Sequence, residues 1–471
     1  MANPLETGLN WGTKVADGDS FIFYYFYEYA EETPFGEVSS GFTEYEVAQF
    51  EQAFAVYSTF LDLHFIEVDQ SAQADYNLLT YASASSTLGM MFPPGVTEHA
   101  GFGYFNYAGS GWDWTAPGTG GLEQGGFGFV TIIHELGHGL GLAHPHDEGG
   151  SSTVFPGVSG AFNDYGDFAL NQGVYTTMSY NAGWRTNPDG LPPSVNFGYQ
   201  GTPMAIDIAV LQAKYGVNTA HNVGDTTYYL PTTNGTGTFY SCIWDAGGTD
   251  TIAATGGGPA LIDLRAATLK LEPGGGGFLS YVDDVYGGFT IAHGVVIENA
   301  TGGAGDDYLR GNSVANKIKG RSGDDMLFGG SGRDTLLGKK GADELDGGKG
   351  KDVLTGGASD DILNGGGGRD SFEFKGRLKT LGVDTVDDFK AGKDQILLSK
   401  KAFKGIGSKG DLKAGKFTVG DDAKDGKDRI VYDDDSGNLS FARHGDNGGL
   451  KKFAKLDAGL SLDHHDFVVV A

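Results

Sequence analysis

The chain has 471 residues, enough for three domains of ordinary size or two larger ones. Its 33 Lys and Arg stand against 61 Asp and Glu, and a net charge of −28 argues against a nucleic-acid binder, because phosphate contacts need basic surface. Glycine supplies 80 residues without a Gly-X-Y period, which excludes collagen, while 30 Phe and 22 Tyr argue against disorder throughout.

Residues 1–6 show no basic segment followed by an apolar stretch, so no Sec-type signal is read there. A single cysteine, Cys242, allows no internal disulfide, and no apolar run is long enough for a membrane-spanning helix. Residues 20–27 are an aromatic-rich strand. Thr43 and Glu46 form a capping box that opens a helix to about residue 62. Val47, Phe50, Phe54, Tyr57 and Leu61 then fall three or four apart on one face. Residues 65–68 and 76–80 read as further strands, and 100–126 as a glycine-rich loop. The aromatic and glycine residues of 100–116 are the expected source of an edge strand for an extended peptide.

A second helix is predicted over about 129–140 and carries His134, Glu135 and His138. Histidines four apart leave the same helix face, as two ligands of one tetrahedral ion must. Glu135 follows the first of them and is placed to act as general base toward water. Gly141 lets the chain leave the helix and return His144 as a third ligand, which leaves a coordination position open for catalysis. Met178 lies 34 residues beyond His144 and reads as an apolar floor beneath the metal. A third helix is predicted with Thr202 as N-cap and Pro203 at its first position, ending at Gly216.

Composition shifts near residue 218, and Gly and Asp dominate beyond it. Residues 302–373 are eight units of nine on the template G-G-x-G-x-D-x-U-x, with U apolar. Position eight reads Leu309, Ile318, Leu327, Leu336, Leu345, Leu354, Leu363 and Phe372. One unit cannot bury that residue alone, so the units must stack cooperatively. The turn residues aim carbonyl groups inward and the sixth residue adds a hard carboxylate, a donor set that suits calcium. The candidate ligands are Asp307, Asp325, Asp334, Asp343, Asp352, Asp361 and Asp370, with Gly303, Gly305, Gly323, Gly330, Gly332, Gly341, Gly348, Gly350 and Gly357. Asn316 replaces the carboxylate in the second unit, and Lys339 replaces a template glycine in the fifth.

The three-histidine motif with Met178 resembles the metzincin zinc endopeptidases. Met178-Ser179-Tyr180, His144-Pro145, the segment from Pro203-Met204 to Tyr215-Gly216, and the nonapeptide repeats are together similar to the serralysin branch with RTX repeats. The resemblance implies an α+β zinc protease domain over 1–218. It implies a calcium-binding parallel β-roll and a mainly β C-terminal region within 219–471. It makes Tyr180 a ligand of the resting zinc and a donor to the reaction's oxyanion. It adds Gly224, Thr226, Asp245, Gly247, Asp250 and Glu298 as calcium contacts. It also implies one catalytic zinc, several structural calcium ions, protein or peptide substrates, type I secretion machinery as partner, a monomer, and an extracellular location. His146 and Asn181 depart from the family pattern, which has Gly and Trp there. A non-catalytic adhesin or surface-layer protein is the alternative, and the complete set of metal and base residues argues against it.

Overall fold

The computed structural model describes residues 3–15, 20–95, 97–443 and 449–471. Met1 and Ala2, where the reading of an absent signal begins, lie outside them. The chain is mostly β, with few helices and many parallel strands, and it forms two compact units. The first takes in 1–225, 230–248 and 266–296, and the second 226–229, 249–265 and 297–471. Among the described residues, no helix is long and apolar enough to cross a membrane.

The first unit opens with a short helix, α1 (Pro4–Leu9), that the sequence reading missed. Strands β1 (Phe21–Phe26), β2 (His64–Glu67), β3 (Tyr76–Tyr81), β4 (Gly89–Met91) and β5 (Phe102–Asn106) form one sheet in the order β2-β1-β3-β5-β4. All pairs are parallel except β4 with β5. β1 alternates, so Ile22, Tyr24 and Phe26 face the core. Helix α2 (Glu44–Phe60) carries the expected capping box. Its stripe packs on that face: Phe54 lies 4.5 Å from Tyr24, and Phe50 4.7 Å from Phe105, between ring centroids.

The stretch 100–126 is not all loop, since β5 lies within it and is the inner neighbour of β3. The edge strand beside β5 is therefore β4 at 89–91, not a segment of 100–116. Gly101 before β5 and Gly103 within it masked its aromatic alternation, and β4 is too short to show any. The last helix of this unit, α4 (Ala205–Tyr215), is capped by Met204 rather than Thr202. The Asp207 carboxylate accepts the Met204 N–H at 2.9 Å and so fixes the start two residues later. The helix ends at Gly216, whose φ of +85° only glycine adopts freely.

In the second unit the nine-residue period becomes half a turn of a parallel roll. Strands pair with those 18 residues on: Ile318 with Leu336 and Leu336 with Leu354 in one sheet, Leu309 with Leu327 and Leu327 with Leu345 in the other. All eight residues at position eight are at most 1% exposed. The stack continues past the repeats, as Ser371–Phe374 pairs with Gln395–Ser399, and that strand with Phe467–Val470.

Candidate metal centre

Helix α3 (Phe127–Gly139) is buried on every side from Gly128 onward, as expected of a helix apolar all round. It holds His134, Glu135 and His138 buried. Gly141 takes φ +84°, and an added Cβ would meet the Thr13 carbonyl oxygen at 2.2 Å, so the exit turn requires glycine. The turn returns His144, whose Nε2 lies 3.1 Å from that of His134 and 3.0 Å from that of His138.

The other nitrogen of each ring decides what these contacts mean. His134 Nδ1 donates to the Thr177 carbonyl at 2.8 Å, and His138 Nδ1 to the Leu142 carbonyl at 2.9 Å. His144 Nδ1 donates to Asp147 Oδ2 at 2.5 Å. With the protons there, all three Nε2 atoms present bare lone pairs to one point. Burial, followed by the neighbouring imidazoles, pushes the pKa of His134 and His138 down to about 3. Burial also lowers His144 to about 4, against the pull of Asp147. Three neutral imidazoles whose lone pairs converge repel one another unless a cation sits between them. This donor set fits zinc, and the Nδ1 acceptors orient it.

Glu135 is 7% exposed, and its Oε2 accepts the N–H of Met91 on β4 at 2.9 Å. Burial raises its carboxyl to about 8. Gly89 makes room for it, since a Cβ there would lie 2.7 Å from Glu135 Cγ. Met178 is fully buried, and a Cβ on Gly137 would lie 2.8 Å from its sulfur, so α3 rests close above it. The Thr176–Thr177 segment is held by Asp207, which accepts the Thr177 N–H at 2.7 Å and the Thr177 hydroxyl at 2.8 Å. Tyr180 sits beside the histidines, its ring 4.5 Å from that of His144 and 5.8 Å from that of His134. Burial, then Glu135, raises its phenol to about 12, so it remains a proton donor at neutral pH. His146 stacks on His144 at 4.9 Å, filling the rim.

Asp147, Asp207, Gly89 and the Met91 amide escaped the sequence reading. Asp147, three residues after the last histidine, carried a local signal. The others act across the fold and carried none.

The repeats form a second set of candidate sites. From Asp325 on, each Asp at position six turns Oδ1 toward the N–H of the residue 18 earlier, as Asp343 does for Asp325 at 3.0 Å and Asp352 for Asp334 at 2.8 Å, whereas Asp307 Oδ1 accepts the Ala260 N–H. The Oδ2 atoms of Asp325, Asp334, Asp343, Asp352, Asp361 and Asp370 are buried without a hydrogen-bond partner. Burial raises Asp325, Asp352 and Asp361 to about 7 and Asp343 to about 6. Buried carboxylate oxygens in a row, unpaired, call for a hard cation, and calcium fits. Asp307 differs: its Oδ2 accepts the Gly303 N–H at 2.7 Å. Gly323, Gly330, Gly332, Gly341, Gly348, Gly350 and Gly357 all take positive φ, while Gly305 does not.

The contacts expected ahead of the repeats divide between the units. In the second, Asp250 Oδ1 accepts the Thr226 N–H and Glu298 Oε2 accepts the Asp250 N–H, each at 2.8 Å. In the first, Asp245 accepts the Gly247 N–H at 2.9 Å, and Gly224 is exposed.

Residues 208–410 match the family described as Peptidase M10 serralysin C terminal. The chain is 34% identical over 235 residues to a serralysin of Proteus mirabilis, covering 47% of this chain and 41% of that one. It is 31% identical over 302 residues to metallopeptidase AprA of Pseudomonas marginalis, covering 59% and 57%. It is 32% identical over 326 residues to serralysin C of Dickeya chrysanthemi, covering 64% and 61%. The chain thus spans less than two thirds of the length of each of these relatives.

Proposed function

We propose that this chain, a relative of the serralysins, is a secreted zinc-dependent endopeptidase stabilised by calcium. The observation that carries this reading is the convergence of three neutral imidazole Nε2 atoms beside a buried carboxylate. His134, His138 and His144 would hold the zinc. Zinc, when bound, would supply Lewis acidity and lower the pKa of the attacking water.

The rest of the chemistry falls to side chains. Glu135 takes a proton from the water that attacks the peptide carbonyl and returns it to the leaving amine. Its bond to the Met91 amide holds the carboxylate at the sheet edge, where an extended substrate can pair with β4. Tyr180 leaves its resting place beside the histidines and donates its phenol hydrogen to the oxyanion of the tetrahedral intermediate. Residues 1–218 form the catalytic domain in this reading. Residues 219–471 form the calcium-binding roll with a C-terminal secretion region recognised by type I machinery, and the enzyme acts outside the cell as a monomer.

Hydrolysis of casein or gelatin by the purified protein tests the reading. Activity should vanish on removal of zinc by a chelator and return with zinc in the presence of calcium. A zinc-loaded, folded protein that cleaves neither substrate would contradict it.

A further inference from the structure

Tyr180 is packed against more than the histidines. The ring of Phe162 lies 5.2 Å from it at an interplanar angle of 30°, and that of His146 4.8 Å from it. Phe162 is nevertheless 67% exposed, a large apolar surface turned to solvent beside the candidate metal centre.

The loop that carries it is fixed from both sides. Asn181, next in the chain after Tyr180, uses its whole side-chain amide on this loop and its return. Its Oδ1 accepts the Asn163 N–H at 2.7 Å, and its Nδ2 donates to the carbonyls of Asp164 at 3.1 Å and Asn171 at 3.0 Å. Asp164 Oδ2 accepts the N–H groups of Ser159 at 2.6 Å and Gly160 at 3.1 Å, and Asp164 Oδ1 that of Gly166 at 3.2 Å. Asn163 is held at φ +58°, a conformation that costs energy and persists where the surroundings dictate it. An exposed aromatic ring on a fixed loop can be covered by a ligand with little ordering cost. Through Tyr180, which packs on both rings, Phe162 is linked to His144 of the candidate metal centre.

We propose that Phe162 is a specificity-determining residue. It forms an apolar wall that receives a large aliphatic or aromatic side chain of a substrate residue directly flanking the cleaved bond, and Asn181 is the positioning residue that sets it there. The inference rests on the peptidase reading above. Asn181, where the related pattern has Trp, here trades a bulky ring for a hydrogen-bonding clamp that presents a different ring.

The test compares wild type, Phe162→Ala and Phe162→Leu on peptides that differ only in carrying Leu, Phe, Ala or Asp on either side of the cleaved bond. Binding of the same peptides with an N-methylated, uncleavable bond is measured in parallel, with zinc content checked throughout. Phe162→Ala should lose roughly tenfold in kcat/KM and in affinity for the Leu and Phe peptides, the lower range for losing an apolar contact. Values for the Ala and Asp peptides should not change, and Phe162→Leu should keep most of the preference. An unchanged ratio of Leu to Asp peptides in Phe162→Ala, in binding and in turnover, overturns the assignment. Selective binding by a wild type that cleaves no peptide would support the wall and instead overturn the peptidase reading.

Discussion

Glu135 is held by backbone rather than by side chains, and this makes its position sensitive to a residue 46 places earlier. A methyl group added at Gly89 would lie 2.7 Å from Glu135 Cγ and 3.1 Å from its Cδ and Oε1. Glu135 and Met91 are buried, so the carboxylate must shift and its bond to the Met91 amide must lengthen. A displacement of about 1 Å in a reacting group costs on the order of a hundredfold. Gly89→Ala should therefore lower kcat by roughly that factor while zinc content and KM hold, measured by steady-state kinetics and metal analysis. Unchanged kcat would show that the carboxylate finds its place without this strand. The residues on α3 were legible because helical spacing alone puts His134 and His138 on one face. Gly89 was not, because its role is a close approach between distant segments. Tyr180 without the resemblance would have read as a core tyrosine, yet it is 38% exposed and packs edge-on against His144.

The roll behaves as a stack of weak acids. Asp325, Asp352 and Asp361 titrate near 7 and Asp343 near 6, because burial opposes their charge and neighbouring carboxylates add to that opposition at several of them. The unfolded chain titrates near 4 at these residues, so between about pH 4 and 7 the folded roll binds more protons than the unfolded one. Its calcium-free stability must then fall as pH rises through that window. Calcium needs the ionised form, so its binding should release protons and weaken as pH falls below about 7. Thermal melts of the whole protein in chelator should show a higher midpoint for the roll at pH 5 than at pH 8, with the order reversed in millimolar calcium. Asp352→Asn should remove part of the proton release. A calcium-free midpoint that rises with pH would contradict this. The nine-residue period was legible in full, because each unit repeats both its turn residues and its core residue. The strand inside 100–126 was not, because Gly103 interrupts its short aromatic run and nothing local marks a strand as interior.

At the scale of the whole chain, the last described strand joins the stack that begins in the repeats. In the folded protein Phe467–Val470 is a strand paired with Gln395–Ser399, and Phe467 and Val469 are buried. Phe467→Ala should cost about 3–5 kcal/mol, as for other buried Phe truncations, seen in denaturant unfolding with calcium present. A loss below 1 kcal/mol would mean the strand adds little. The apolar residues of this tail were visible in the sequence, but its pairing partner some 70 residues earlier was not. The central claim is that zinc held by three histidines and a proton carrier at Glu135 together cleave peptide bonds. Its most direct measurement is casein turnover by wild type and Glu135→Ala, both carrying one zinc and saturated with calcium. Wild type should hydrolyse casein and Glu135→Ala should not at equal zinc content, and near-normal turnover by the zinc-loaded variant would contradict the claim.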